Sequence, residues 1–202
     1  FFKQKAAYEI KECDWSSDVC SSDLELAEQR ERAEEQGIEY RVGDARRVEV
    51  PGKFDLVVAA YLLNYASTPA DLAAICANIA KHLKPCGRFC AVNNNPLQNP
   101  ARFPVTRKYG FIKSGDHSAS GAPVRYHFFS SGDLDGPEVF QIENYYLDPQ
   151  LHLDTFRKNG FSEAAWHPMQ LSPAEANGTN PGFWDEFFTD TPVILFEAKR
   201  GS

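Results

Sequence analysis

Three short stretches hold the side chains best suited to grip a small ligand. In Gly43-Asp44-Ala45, the Asp44 carboxylate can accept a hydrogen bond from an amino group and the Ala45 N–H can donate to a ring nitrogen. In Ala59-Ala60-Tyr61-Leu62-Leu63-Asn64-Tyr65, small alanines let a ligand approach the backbone, and Tyr61, Asn64 and Tyr65 follow as polar or aromatic walls. Asn93-Asn94-Asn95-Pro96 is a run of amides, which are poor core material and good hydrogen-bonding material. Asn95 precedes Pro96 and also has a turn to shape. Further on, Tyr126 and His127 alternate, so they point to opposite faces of a strand; Tyr126 is taken as the substrate-side member. Cys13, Cys20, Cys76, Cys86 and Cys90 form no CxxC pair, so neither a metal nor a disulfide framework is expected.

The elements that must position these residues follow from patterning. Glu25 to Gln36 is rich in helix formers, and Gly37 stands where a helix is capped. Ile38 to Val42 alternates like a strand and ends at Gly43-Asp44. Phe54 to Ala60 is a nearly continuous apolar run, which predicts a strand buried on both faces, flanked by Ile38–Val42 and Arg88–Val92. Pro69 to Leu83 carries Leu72, Ile75, Cys76, Ile79 and Leu83 at helical spacing, and Pro85 and Gly87 stop it. Helices and strands joined by short links make an α/β rhythm, in which ligands bind beyond the C-terminal ends of the strands. All three candidate stretches lie at such ends.

The chain then changes character. From about residue 105 to 147, aromatic and β-branched runs are separated by Gly, Ser and Asp clusters, which predicts an inserted antiparallel meander. Asp148 to Asn159 reads as a helix ended by Gly160, and Ala165–Leu171 and Pro192–Ala198 as a final strand pair. The net charge of −7 argues against a nucleic-acid backbone as partner, and no apolar run approaches the roughly 20 residues that span a bilayer. The composition suits a reducing cytoplasm.

Residues 1–24 stand apart. Asp14-Trp-Ser-Ser-Asp-Val-Cys-Ser-Ser-Asp-Leu24 resembles the translation of a common short-read sequencing adapter. Lys3 to Ile10 resembles the other arm of that adapter, with Ala6 in place of Thr through one base change. Residues 1–24 are therefore expected to be an artefact outside the fold, with the natural sequence starting near Glu25 in mid-domain.

Tyr40-Arg-Val-Gly-Asp-Ala45, Phe54-Asp-Leu-Val-Val-Ala-Ala60 and Leu83-Lys-Pro-Cys-Gly-Arg88, in this order and spacing, resemble the successive motifs of class I S-adenosylmethionine-dependent methyltransferases. Cys86 replaces a glycine of the Leu-Lys-Pro-Gly-Gly turn. The resemblance implies an incomplete Rossmann-like sheet, N-terminally truncated, whose cofactor is S-adenosylmethionine. It implies adenine contacts from Asp44 and Ala45, methionine-side contacts from Ala60 and Tyr61 with Tyr65 beside them, and a substrate-covering meander. Asn64, Asn93, Asn95 and Tyr126 are the expected substrate contacts. Such enzymes also carry a Gly-x-Gly-x-Gly loop after the first strand and an acidic residue on the second; no two glycines stand two apart anywhere in this chain. The expected function is methyl transfer to a nitrogen or oxygen of a small molecule, impaired by that loss. An aminopropyltransferase-like enzyme and a non-catalytic fragment remain alternatives.

Overall fold

The computed structural model describes residues 7–11, 17–130, 136–172 and 182–202. They fall into two units, residues 1–53 and 54–202.

In the first unit, β1 (Ala7–Lys11) pairs in parallel with β2 (Ile38–Val42), and α1 (Ser17–Ala33) connects them. The helix-to-strand turn closes on one carboxylate: Glu31 Oε1 accepts from the N–H groups of Gln36, Gly37 and Ile38 at 2.8, 2.6 and 3.1 Å. Gly37 there adopts φ 75°, the left-handed conformation expected of a cap glycine. Of the adapter-like segment, residues 1–6 and 12–16 lie outside the described residues. The remainder supplies β1 and the first turns of α1, so the helix starts earlier than Glu25.

The second unit runs β3 (Phe54–Ala60), a 3-10 turn (Leu63–Tyr65), α2 (Pro69–His82), β4 (Leu83–Asn94), a 3-10 segment (Pro100–Tyr109), β5 (Phe111–Gly115), β6 (Pro123–Phe129), β7 (Glu138–Tyr145), α3 (Pro149–Lys158), β8 (Phe161–His167), α4 (Asp185–Thr189) and β9 (Val193–Arg200). Its main sheet has the order β3-β4-β9-β8, parallel between β3 and β4 and antiparallel beyond. The expected meander is present as the antiparallel sheet β5-β6-β7. The helix α2 is fixed at its start by a capping box: Thr68 Oγ1 accepts from the Asp71 N–H, and the Asp71 carboxylate accepts from the Thr68 N–H.

The core of this unit lies where α2 and α3 cover the main sheet. Phe89, Phe156 and Phe196 are fully buried there, with Phe156 centred 5.4 Å from Phe89 and 4.7 Å from Phe196. A satellite cluster of Phe103, Val124 and Tyr126 holds the insertion together.

One expectation fails. Phe54–Ala60 is a strand, but it lies at the edge of its sheet rather than between Ile38–Val42 and Arg88–Val92. Among the described residues it pairs with β4 alone, and β2 pairs with β1 in a separate sheet. Only one face is covered: Val57 and Ala59 pack on the core, whereas Leu56 and Val58 are 51% and 69% exposed. An apolar run records what a strand is suited to meet, and here one of its faces meets solvent.

Candidate functional site

The C-terminal ends of β3 and β4 lie side by side, with Ala60 registered against Val92. Ala60 is exposed at this end. Tyr61 follows at φ 59°, in the left-handed region that side chains rarely adopt, and its N–H donates to the Val92 carbonyl at 2.8 Å. A bulky residue held in this conformation is strained, and such strain gathers at ligand sites. The Tyr61 side chain is 42% exposed, and partial burial raises its phenol pKa.

Next to it the 3-10 turn Leu63–Tyr65 buries Asn64 to 3% exposure. Asn64 Oδ1 accepts from the Asn94 N–H at 3.1 Å, while its Nδ2 is buried without a partner. Tyr65 is half-buried in the same turn. Asn93, 2% exposed, donates from Nδ2 to the Asn94 carbonyl and leaves Oδ1 buried and unpaired. A donor and an acceptor stripped of water with nothing bound to them are costly, and native proteins keep few of them.

Asn95 is different. Its Nδ2 donates to the Thr191 carbonyl at 2.7 Å, and its Oδ1 accepts from the Leu97 N–H at 2.9 Å. Both ends of the amide serve the chain itself: Asn95 shapes the turn after β4 and ties it to the residues before β9.

The insertion meets the strand ends through residues that patterning missed. Lys113, on β5 and 2% exposed, donates from Nζ to Asn94 Oδ1 at 2.5 Å, Gln98 Oε1 at 2.6 Å and the Pro192 carbonyl at 2.7 Å. Burial lowers its pKa, and the charge of Asp190 opposes this. Three oxygen acceptors at these distances match the three N–H groups of an ammonium. Tyr126, on β6, donates its hydroxyl to the same Asn94 Oδ1 at 2.5 Å, and burial raises its pKa so that it stays a donor. Tyr126 therefore faces the buried side of the insertion, as alternation required, though its hydroxyl is spent on Asn94. The available signal was the alternation of Phe111 and Lys113, which puts the lysine on the inward face.

In the first unit, Asp44 sits in the turn after β2. Its carboxylate accepts from the Arg46 N–H and Nε, each at 2.9 Å, and pairs with Arg47 at 3.3 Å. The Arg46 hydrogen bond comes first among the causes that hold its carboxyl below the ordinary range. Ala45 is buried at 6% exposure. Cys86 keeps the left-handed turn of the glycine it replaces, at φ 60°.

The fit to S-adenosylmethionine is partial. Within the second unit the exposed Ala60 and the strained Tyr61 suit a ligand laid against the end of β3; within the first unit Asp44 already holds an arginine, and no Gly-x-Gly occurs in the sequence. Among the described residues, no group of three His, Cys, Asp or Glu side chains could hold a metal ion, and no helix is long and apolar enough to cross a membrane.

Residues 7–87 match the family model described as a methyltransferase domain, a stretch that includes the adapter-like residues from Ala7 onward. No curated protein matches the sequence closely enough to count as a relative. Solved structures do. The CcbJ methyltransferase from Streptomyces caelestis is 11% identical at a TM-score of 0.61, with 96% of this chain and 74% of that one covered. A structure described as a putative S-adenosylmethionine-dependent methyltransferase from Listeria monocytogenes is 16% identical at 0.58, covering 98% and 81%. CalS10 from Micromonospora echinaspora, an amino pentose methyltransferase with S-adenosylmethionine bound, is 20% identical at 0.56, covering 96% and 74%. The chain thus has the mixed α/β, Rossmann-like fold of S-adenosylmethionine-dependent methyltransferases.

Proposed function

We propose that this chain derives from an S-adenosylmethionine-dependent methyltransferase acting on a nitrogen or oxygen of a small molecule in the cytoplasm. The observation that carries the reading is Tyr61, a bulky residue strained at φ 59° beside the exposed Ala60 at the end of a parallel strand. Ala60, Tyr61 and Tyr65 are the proposed methionine-side contacts, and Asp44 and Ala45 the proposed adenine contacts. Asn64 and Asn93, with one unpaired polar atom each, and Tyr126 form the acceptor side.

When bound, the cofactor supplies a methyl group on a positively charged sulfur. The protein has then only to align the acceptor and keep water away. The Lys113–Asn94–Tyr126 network suits that task, because it fixes the insertion against the strand ends before any ligand arrives. A small acceptor is supported by the aromatic insertion and the net charge of −7, and also by the amino pentose methyltransferase with the same fold. The free thiols of Cys76, Cys86 and Cys90 suit a reducing compartment.

We further propose that residues 1–24 are not native and that a first strand with its glycine loop belongs before Glu25. The terminal place of β3 in its sheet, among the described residues, and the absence of any Gly-x-Gly support this. Loss of the ribose clamp alone weakens binding by about 10- to 100-fold, at roughly 1.5–3 kcal/mol for a hydrogen bond to a charged group.

Titration calorimetry with S-adenosylmethionine tests the reading on this chain and on one carrying the genomic sequence upstream of Glu25. The present chain is expected to bind weakly or not at all and the completed one at micromolar concentration. Failure of the completed chain to bind would remove the methyltransferase reading.

A further inference from the structure

We propose that the outer face of the insertion carries a second reactive centre, in which Ser114 is a hydroxyl nucleophile that accepts the acyl group of a small activated ester. Ser114 Oγ lies 2.8 Å from His127 Nε2, and His127 Nδ1 lies 2.9 Å from Glu138 Oε2. Three consecutive strands, β5, β6 and β7, thus deliver a hydroxyl, an imidazole and a carboxylate in that order. A carboxylate on Nδ1 takes the N–H of that nitrogen, which leaves the lone pair of Nε2 for the serine proton. This is the arrangement that activates a hydroxyl nucleophile, recognised by roles and distances rather than by sequence position.

The surroundings favour the same chemistry. Ser114 is exposed, so an ester can reach it, while the His127 side chain is only 20% exposed, which shelters the imidazole. Strand register places Arg125 directly opposite Ser114, on the same face. Its guanidinium is held by Glu143 at 2.9 Å, so a fixed ion pair stands on the face that an ester would approach. The neighbouring Gly115 lets β5 and β6 close together: a Cβ there would stand 2.4 Å from the Pro123 carbonyl oxygen. The centre is built on strands, which hold a constellation more tightly than loops do. It lies on the opposite face of the insertion from Tyr126 and Lys113, so it is independent of the methyltransferase reading.

The reaction balances without an outside reductant or oxidant. Ser114 Oγ bonds to the ester carbonyl carbon as His127 Nε2 takes the hydroxyl proton. The carbon–oxygen bond to the leaving group breaks, and the imidazolium returns the proton to the departing oxygen. Water, deprotonated in turn by His127, then cleaves acyl-Ser114 to the free acid and the original hydroxyl. An open strand face suits a short, unhindered ester with a good leaving group, such as an aryl acetate.

The full chain is to be incubated with p-nitrophenyl acetate, with nitrophenolate release followed by absorbance and the acetylated residue located by peptide mass spectrometry. The expected result is acetyl on Ser114 and a rate that falls about tenfold or more in Ser114→Ala. Glu138→Gln is expected to lower the rate several-fold while Ser114 remains the labelled residue, and circular dichroism checks that both variants fold. An unchanged rate in Ser114→Ala, or acetyl recovered on lysine or tyrosine instead of Ser114, overturns the proposal.

Discussion

Lys113 Nζ donates to Asn94 Oδ1 at 2.5 Å, joining the first strand of the insertion to the last residue of β4. The same oxygen accepts the Tyr126 hydroxyl, so both of its lone pairs are used and the amide cannot rotate. Replacing Lys113 with Met keeps the length of the stem and removes every donor. Gln98 Oε1 then loses its donor, while Asn94 Oδ1 keeps the Tyr126 hydroxyl and the Pro192 carbonyl keeps the Asn95 N–H, and the variant is expected to lose about 1–3 kcal/mol in urea denaturation. A loss under about 0.5 kcal/mol would mean that the insertion is held by its apolar contacts alone.

Acid should weaken the second unit through two histidines. Burial, followed by the positive charge of Lys113, lowers His117 to about 4; its ring is stacked on Tyr146 and set edge-on to Phe103. Burial also lowers His152, against the opposing influence of Asp148. The unfolded chain takes up protons on these rings near the ordinary value of about 6.5, whereas the folded chain resists until lower pH. Stability is therefore full above about 6.5 and is lost as pH falls towards 4. Melting temperature measured across that range should decline less steeply in His117→Phe, which also removes the unpartnered Nε2.

Phe156 joins α3 to the main sheet. It is fully buried and lies within 5.4 Å, centre to centre, of the Phe89, Phe161 and Phe196 rings. Phe156→Ala is expected to cost about 3–5 kcal/mol by denaturant titration, because the aromatic neighbours cannot all collapse into the space.

Cys86 is an exposed residue at φ 60° in the turn that opens β4. A left-handed conformation costs a side-chain-bearing residue roughly 1–2 kcal/mol, partly offset by the freedom glycine gains in the unfolded chain. Cys86→Gly is expected to raise stability by about 0.5 kcal/mol, read as an upward shift of the urea midpoint. A fall would show that the thiol makes a useful contact.

Deleting residues 1–24 is expected to leave the melting temperature of the second unit nearly unchanged. A loss beyond about 1 kcal/mol would show that β1 and the start of α1 belong to the natural fold.

Much of the fold was legible because apolar spacing reports which faces are buried. Leu72, Ile75, Cys76 and Ile79 at helical spacing after Pro69 give α2, and the aromatic runs after Tyr109 give three antiparallel strands. The neighbours of a strand were not legible in the same way. Phe54–Ala60 is apolar enough to lie centrally, yet the partner for its second edge is not β2. At the site, Asn64 and Asn93 stood out as amides at strand ends, and both are buried with an unpaired atom. Lys113 did not stand out, since a lysine in a strand ordinarily points to water; only its three acceptors, drawn from residues far apart in sequence, make its burial tolerable.

The position of β4 between β3 and β9 also sets an order of events during synthesis. β3, α2 and β4 are contiguous and can assemble as soon as they leave the ribosome, with the capping box of α2 as local help. β9 begins roughly a hundred residues after β4 ends, beyond the whole insertion. At the usual elongation rates of about 5–20 residues per second, the second edge of β4 waits on the order of 5–20 s for its partner. Throughout that interval the nascent chain carries an apolar strand that can pair with another copy, so its yield depends on translation speed and chaperone supply as well as on final stability.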